Sequence, residues 1–290
     1  WTGVRVDGRL DRKNRFARLS VDEKARRRHE IVHSGAMGVA TRLRSAMSGA
    51  GMLAELTGGV SYLDFLRRLA LRAETDWQAV LYDLEALRRS VIHRAGLALN
   101  ITATPEQRSD LEPLCRRLAG RLPEQSVDGA STWADSLDNL PAKEALILPA
   151  QVNYVGKGIN LFDAGYEWHG SASVILKYLR TGYLWEKVRV QGGAYGCVCG
   201  LDRMSGAFFM VSYRDPNVLP TLKVYDEAAR HLEKNRIGKD EPRAAIVGAN
   251  GELDTHLLPA AQASAACRRQ PAGDTPAMRH QRTDEGLRTT

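Results

Sequence analysis

His29-Glu30-Ile31-Val32-His33 sets two imidazoles four residues apart with a carboxylate beside the first. On a helix both rings stand on one face, where they can share a zinc ion while the glutamate polarises a bound water. The surroundings oppose that chemistry. A catalytic zinc usually takes a third protein ligand, yet Val39 stands where the extended pattern places a third histidine, and Ala36 where it places a glycine. Glu55 is the only nearby acid that could substitute, at an unpersuasive spacing. Arg26, Arg27 and Arg28 abut His29 and repel a divalent cation. The expectation is two histidines on an exposed helical turn, with no metal held by this chain.

A second group lies in VRVQGGAYG, residues 188–196. Gly192, Gly193 and Gly196 surround Tyr195, and glycines permit positive φ and close backbone approach. Arg189 precedes Tyr195 by six residues, across the glycine turn. A guanidinium and a phenol are thereby offered to one extended ligand, a peptide or an anion. A helix-to-strand turn with a surface arginine accounts for the same residues, and the segment alone does not separate the two readings. Cys197 and Cys199 stand two apart on a predicted strand, so both face one side; without further ligands they read as buried thiols. Gly156-Lys157-Gly158 lacks the spacing and the hydroxyl residue of a phosphate loop. His169 has no acid or nucleophile at a recognised spacing and reads as structural.

The elements that carry these residues follow from periodicity and punctuation. Leu19 to about Leu56 is helical in pattern, with Ser20 and Glu23 as a capping box. Ser34-Gly35 and Gly49-Ala50-Gly51 interrupt it, and Gly58-Gly59 breaks it. Tyr62, Leu63, Leu66, Leu69 and Ala70 form a helical stripe. Asp76 caps a helix striped by Trp77, Val80, Leu81, Leu84, Leu87 and Val91. LALNITA, 97–103, reads as a strand. Pro105 opens a helix through Leu111, Leu114, Cys115 and Leu118. Residues 123–144 are rich in turn formers and read as a linker. After it come a strand interrupted at Pro149 and a helix from Ser171 to about Lys187, with Val174, Ile175, Tyr178, Leu179 and Leu184 toward a core. AYGCVCGLD and AFFMVSYR form a hairpin, and a helix from Pro216 carries Leu219, Leu222, Val224, Tyr225 and Ala229. Beyond Pro259 large apolar residues almost vanish, which predicts a disordered tail over 260–290.

Composition narrows the classes. The 290 residues are 43% hydrophobic and 26% charged, an ordinary globular balance. The four cysteines form no disulfide framework and fit a reducing compartment. No apolar run approaches a membrane span. Lys+Arg 41 against Asp+Glu 34 gives a net charge of +7, and residues 1–30 hold ten of those cations against five acids. That run reads as a solvated helix face or a loose end, because no nucleic-acid module accompanies it. Residues 1–20 lack the apolar core of a signal peptide, and the start at Trp1 reads as a cut from something longer.

Long ordered strings resemble a known family. LPAQVNYVGKGINLFDAGYEWHGSASVILKYLRTGYLWEKVRVQGGAYG, SYRDPNVLPTLKVYDEAARHL and IVGANGELDTHLLP resemble the C-terminal half of the presequence proteases, the organellar branch of the pitrilysin/insulinase-type zinc peptidases. HSGAMGVATRLRSAMSGAGMLAELTGGVSYLDFL resembles the helical stretch before it. The resemblance runs from about Leu19 to Pro259. It implies an α+β fold of two consecutive layered α/β sandwich domains, both incomplete. Residues 19–122 would end the third family domain, 145–259 would be a truncated fourth, and 1–18 stay unassigned.

The family's zinc sits in the N-terminal half on an inverted His-x-x-Glu-His motif, which this sequence does not contain. The resemblance implies that zinc belongs to the complete enzyme and is bound by that missing half. Arg189 and Tyr195 match the arginine and tyrosine that reach across to substrate, with Gly192 and Gly193 beside them. The implied role is substrate clamping in an enzyme that degrades targeting presequences and other unfolded peptides, in the mitochondrial matrix or plastid stroma. Its partners would be those peptides and the N-terminal catalytic half, with no nucleic acid and no membrane span. A non-catalytic scaffold of the same fold and an independent zincin built on His29, Glu30 and His33 are the alternatives.

Overall fold

A computed structural model describes residues 9–124, 141–234, 240–253, 257–269 and 273–288. The chain divides into two interleaved units, one of residues 1–24, 65–132 and 256–274, the other of 25–64, 133–255 and 275–290. Among the described residues are helices α1 (Lys13–His33), α2 (Gly35–Ser45), α3 (Gly49–Gly58), α4 (Val60–Thr75), α5 (Trp77–Val91) and α6 (Pro105–Gly120). Strand β1 (Gly156–Asn160), α7 (Ser171–Thr181), a π-helical turn (Trp185–Gln191), β2 (Gly196–Leu201) and β3 (Ala207–Tyr213) follow. The series ends with α8 (Leu219–Lys234), α9 (Asp240–Leu253), α10 (Pro259–Arg269) and α11 (Pro276–Leu287). The fold is therefore α+β, with its described strands confined to 156–213.

The first unit is helical. Asp76 caps α5, its side chain accepting from the Ala79 N–H at 3.1 Å. Thr104 and Gln107 make a reciprocal capping box around Pro105 at the start of α6. Phe16 and Trp77 pack ring to ring at 5.4 Å, and Val80 is buried. The strand expected at 97–103 does not form. Leu99 and Ile101 are exposed, Leu97 closes a turn on Arg94, and the Asn100 amide donates to the Ala263 carbonyl. Alternation alone cannot make a strand when no neighbour takes up its backbone groups. The capping box expected at Ser20 also fails: α1 begins at Lys13, and Ser20 is buried within it.

The second unit is organised on the sheet, in the order β1-β3-β2 and antiparallel throughout. The β2–β3 hairpin forms as expected, closed by Gly206 at φ +74° and by the Met204 N–H on the Asp202 carboxylate. Of the expected strand on either side of Pro149, only Gly156–Asn160 is formed. One face of the sheet takes α2, where Val39 lies so close to Gly156 that a Cβ there would stand 2.3 Å from its Cγ1. The other face buries Val155, Leu179, Tyr183, Leu184, Val188, Cys197, Cys199, Met210 and Tyr225 in one cluster. A side chain as buried as Leu184 contributes about 1.5–3 kcal/mol.

The helix expected from Ser171 to Lys187 is two elements, α7 and the π-turn, and α8 starts at Leu219 rather than Pro216. Arg42 of α2 donates to Glu55, which is wholly buried, and to Glu144. In the tail, where composition predicts disorder, the described residues form α10 and α11. The latter packs on α7 and α9, and Glu285 accepts the Gly170 N–H at 2.6 Å. Residues 270–272 and 289–290 of that tail, 1–8 of the N-terminal segment and 125–140 of the expected linker lie outside the described residues.

Candidate functional site

The site is built where the π-turn gives way to β2. Leu184 and Val188 are buried and fix the turn to the core. Trp185 and Arg189 lie on its next face, with the Arg189 guanidinium 4.0 Å from the Trp185 ring centre. That stacking holds a cation without neutralising it. The turn closes through the Gly193 N–H on the Arg189 carbonyl and the Ala194 N–H on the Val188 carbonyl. Gly193 has φ +77°, a conformation that strains any residue bearing a Cβ. Gly196 backs onto Tyr213, where a Cβ would stand 2.4 Å from Oη.

Tyr195 follows, more than half exposed. Its N–H bonds to the Tyr213 and Arg214 carbonyls, and its ring lies 5.6 Å from that of Tyr213. The Arg189 guanidinium is 5.5 Å from the Tyr195 ring centre, and the Arg214 guanidinium is 5.5 Å from it as well. Neither arginine has a carboxylate partner among the described residues. The structure thus brings Arg189, Tyr195, Gly192 and Gly193 together. It adds Trp185, Arg214 and Asn217, whose side-chain amide donates to the Gly192 carbonyl at 2.6 Å. Trp185 was readable as a neighbour of Arg189 four residues away; Arg214 and Asn217 arrive only through strand pairing. Two unpaired guanidiniums beside an exposed phenol can receive carbonyls or carboxylates of a peptide.

The other sequence candidates do not converge. His29 and His33 stack at 3.8 Å, and His33 Nδ1 lies 3.0 Å from the His29 carbonyl. Glu30 is taken by Arg26 and Arg27 at 2.6 and 3.0 Å. These residues do not fit a zinc ion: one ring nitrogen and the carboxylate are already engaged, and no third ligand joins them among the described residues. Cys197 and Cys199 share the core face, and burial pushes their thiols up to about 11 and about 12. Lys157 lies within β1 and pairs with Asp226, so the Gly-Lys-Gly run is strand. His169 Nδ1 lies 2.8 Å from Ser171 Oγ at the start of α7.

Comparison with known families places this geometry. The model described as PreP C-terminal domain matches residues 143–290, just over half of the chain and all of the site. The chain belongs to the presequence protease family. A second model, of a segment associated with the same class of peptidases, matches residues 1–69. The two matches take in 1–18 and 260–290, which the resemblance read from sequence left outside. Presequence protease 1, chloroplastic/mitochondrial, of Arabidopsis thaliana is 37% identical over 279 residues, covering 96% of this chain and 26% of that protein. Protein HypA of Clostridium perfringens is 26% identical, covering 84% and 25%. The mitochondrial presequence protease of Mus musculus is 21% identical, covering 79% and 25%. The chain therefore spans about a quarter of the length of these relatives.

Proposed function

We propose that this chain supplies the substrate-clamping part of a zinc metalloendopeptidase that degrades targeting presequences and other unfolded peptides. The observation that carries the reading is the Arg189–Tyr195 pair, a stacked, unpaired guanidinium beside an exposed phenol on a glycine turn. An extended peptide backbone would lie against the turn, where the glycines leave room for it. Arg189 would hold a substrate carbonyl or carboxylate through its fixed fork of donors. Tyr195 would donate its phenolic proton to the carbonyl oxygen as negative charge develops there, which lowers the barrier more than it tightens binding. The metal that activates water in the complete enzyme would be held outside this chain, by the N-terminal catalytic half. The layered two-domain sandwich of the family would be the scaffold that brings the halves together. The names of the Arabidopsis and mouse relatives support a mitochondrial or plastid setting.

The division of labour is tested by purifying the 290-residue chain with zinc and assaying a fluorogenic unfolded peptide. No hydrolysis is expected until a zinc-binding N-terminal half is added. Zinc-dependent cleavage by the chain alone, abolished by Glu30→Ala, would overturn the reading and make the histidine pair the active centre.

A further inference from the structure

Arg214 is the one described residue other than glycine with positive φ, at +50°. A left-handed backbone is unfavourable for a long side chain and persists only where its surroundings dictate it. Here they do. Ser212 and Asp215 on either side are wholly buried. Asp215 pairs backbone to backbone with Asn153, and its carboxylate takes the Thr221 hydroxyl and the Asn217 N–H. The Arg214 carbonyl receives the Tyr195 N–H. The side chain is left exposed, with its guanidinium over the Tyr195 ring and no carboxylate bound among the described residues. Two cations directed at one aromatic ring repel each other unless an anion joins them.

We propose that Arg214 is a specificity-determining residue, a receptor for a carboxylate of the bound peptide. This rests on the reading of Arg189 and Tyr195 as the peptide clamp. Arg189 is committed by its stack on Trp185, so it serves the peptide wherever it lies. Arg214 has no such stack and can close a bidentate pair with an incoming carboxylate. That group is either an acidic side chain or the peptide's C-terminus, and both offer the same two oxygens.

The test titrates the isotope-labelled 290-residue chain with three acetylated pentapeptides, read by the NMR signals of the arginine side chains. One is pentaalanine with a free C-terminus; the others are amidated, with Glu or Gln at the central position. One or both acidic probes should bind about tenfold more tightly than the Gln probe, the scale of one charge-assisted hydrogen bond, and the tighter one names the source. Arg214→Gln should bring all three affinities together, and Arg214→Lys should restore part of the difference. Arg189→Ala should weaken all three and keep their ratio. Equal affinities in the wild type, a ratio that survives Arg214→Gln, or no binding of any probe at millimolar concentration overturns the proposal. If Arg189→Ala and Tyr195→Phe change nothing while Arg214→Gln abolishes the ratio, the clamp reading fails and the carboxylate receptor stands.

Discussion

The Asn217 side-chain amide donates to the carbonyl oxygen of Gly192 at 2.6 Å, tying the loop after β3 to the glycine turn before β2. The far end of that loop is anchored by Asp215, wholly buried and bonded to Thr221 and to the Asn217 N–H. Asn217 is a positioning residue: it touches no substrate and sets where Arg189 and Tyr195 stand. Asn217→Ala and Asn217→Asp both remove the donor. Each should cost about 1 kcal/mol of stability and lower kcat in the complete enzyme several-fold at nearly unchanged KM. Urea melts and steady-state kinetics check this, and a stability loss with normal kcat would reduce Asn217 to a structural tie.

The cysteines divide by burial. Cys267 is exposed, whereas Cys197 and Cys199 lie in the core with thiols raised by burial to about 11 and about 12. At neutral pH, iodoacetamide should label Cys267 in the folded chain and leave Cys197 and Cys199 unlabelled until denaturant is added. The neutral thiols favour the folded state. Their contribution is complete below the ordinary thiol value near 9 and is lost as pH rises through about 11 to about 12. Stability against urea should therefore fall above pH 9, and less steeply once both cysteines are replaced by alanine.

The tail gives a prediction opposite to its composition. Amide exchange over Pro276–Leu287 should be slowed well beyond that of an unstructured peptide, because α11 is a helix packed on α7 and α9. Glu285→Ala removes the acceptor for the Gly170 N–H at the start of α7 and should cost about 1 kcal/mol, as losing a cap does. Free exchange across the whole segment would restore the disordered reading.

That tail marks a limit of what the sequence discloses. Its packing runs through small residues: Ala245 and Ala249 bury against Val174, and Gly286 lies near Val174 and Gly170. Alanine and glycine carry little hydrophobic signal, so a close-packed helical surface looks like an unburied one. The hairpin was legible because its alternation and its Ser205-Gly206 turn agree with what the core requires of both strands. LALNITA alternates as well, yet has no partner strand, and pairing lies beyond a local pattern. In the site, the glycines and the Arg189–Tyr195 spacing were visible because they are contiguous. The left-handed Arg214 was not, since its conformation is imposed by Asp215 and by the register with β2. The π-turn was hidden for a similar reason: Leu184 and Val188 fit an ordinary helix, and only the closure onto Gly193 and Ala194 widens it.

The central claim is that Tyr195 acts on the reacting carbonyl, and the most direct measurement is the kcat of Tyr195→Phe in the complete enzyme, with zinc content determined alongside. The change removes one hydroxyl from an exposed ring, so fold and metal should be untouched. The expected kcat is about 10–1000-fold lower, the scale of losing one oxyanion donor, with zinc content and KM close to wild type. Wild-type kcat in a zinc-replete variant would contradict the claim and leave the glycine turn as architecture alone.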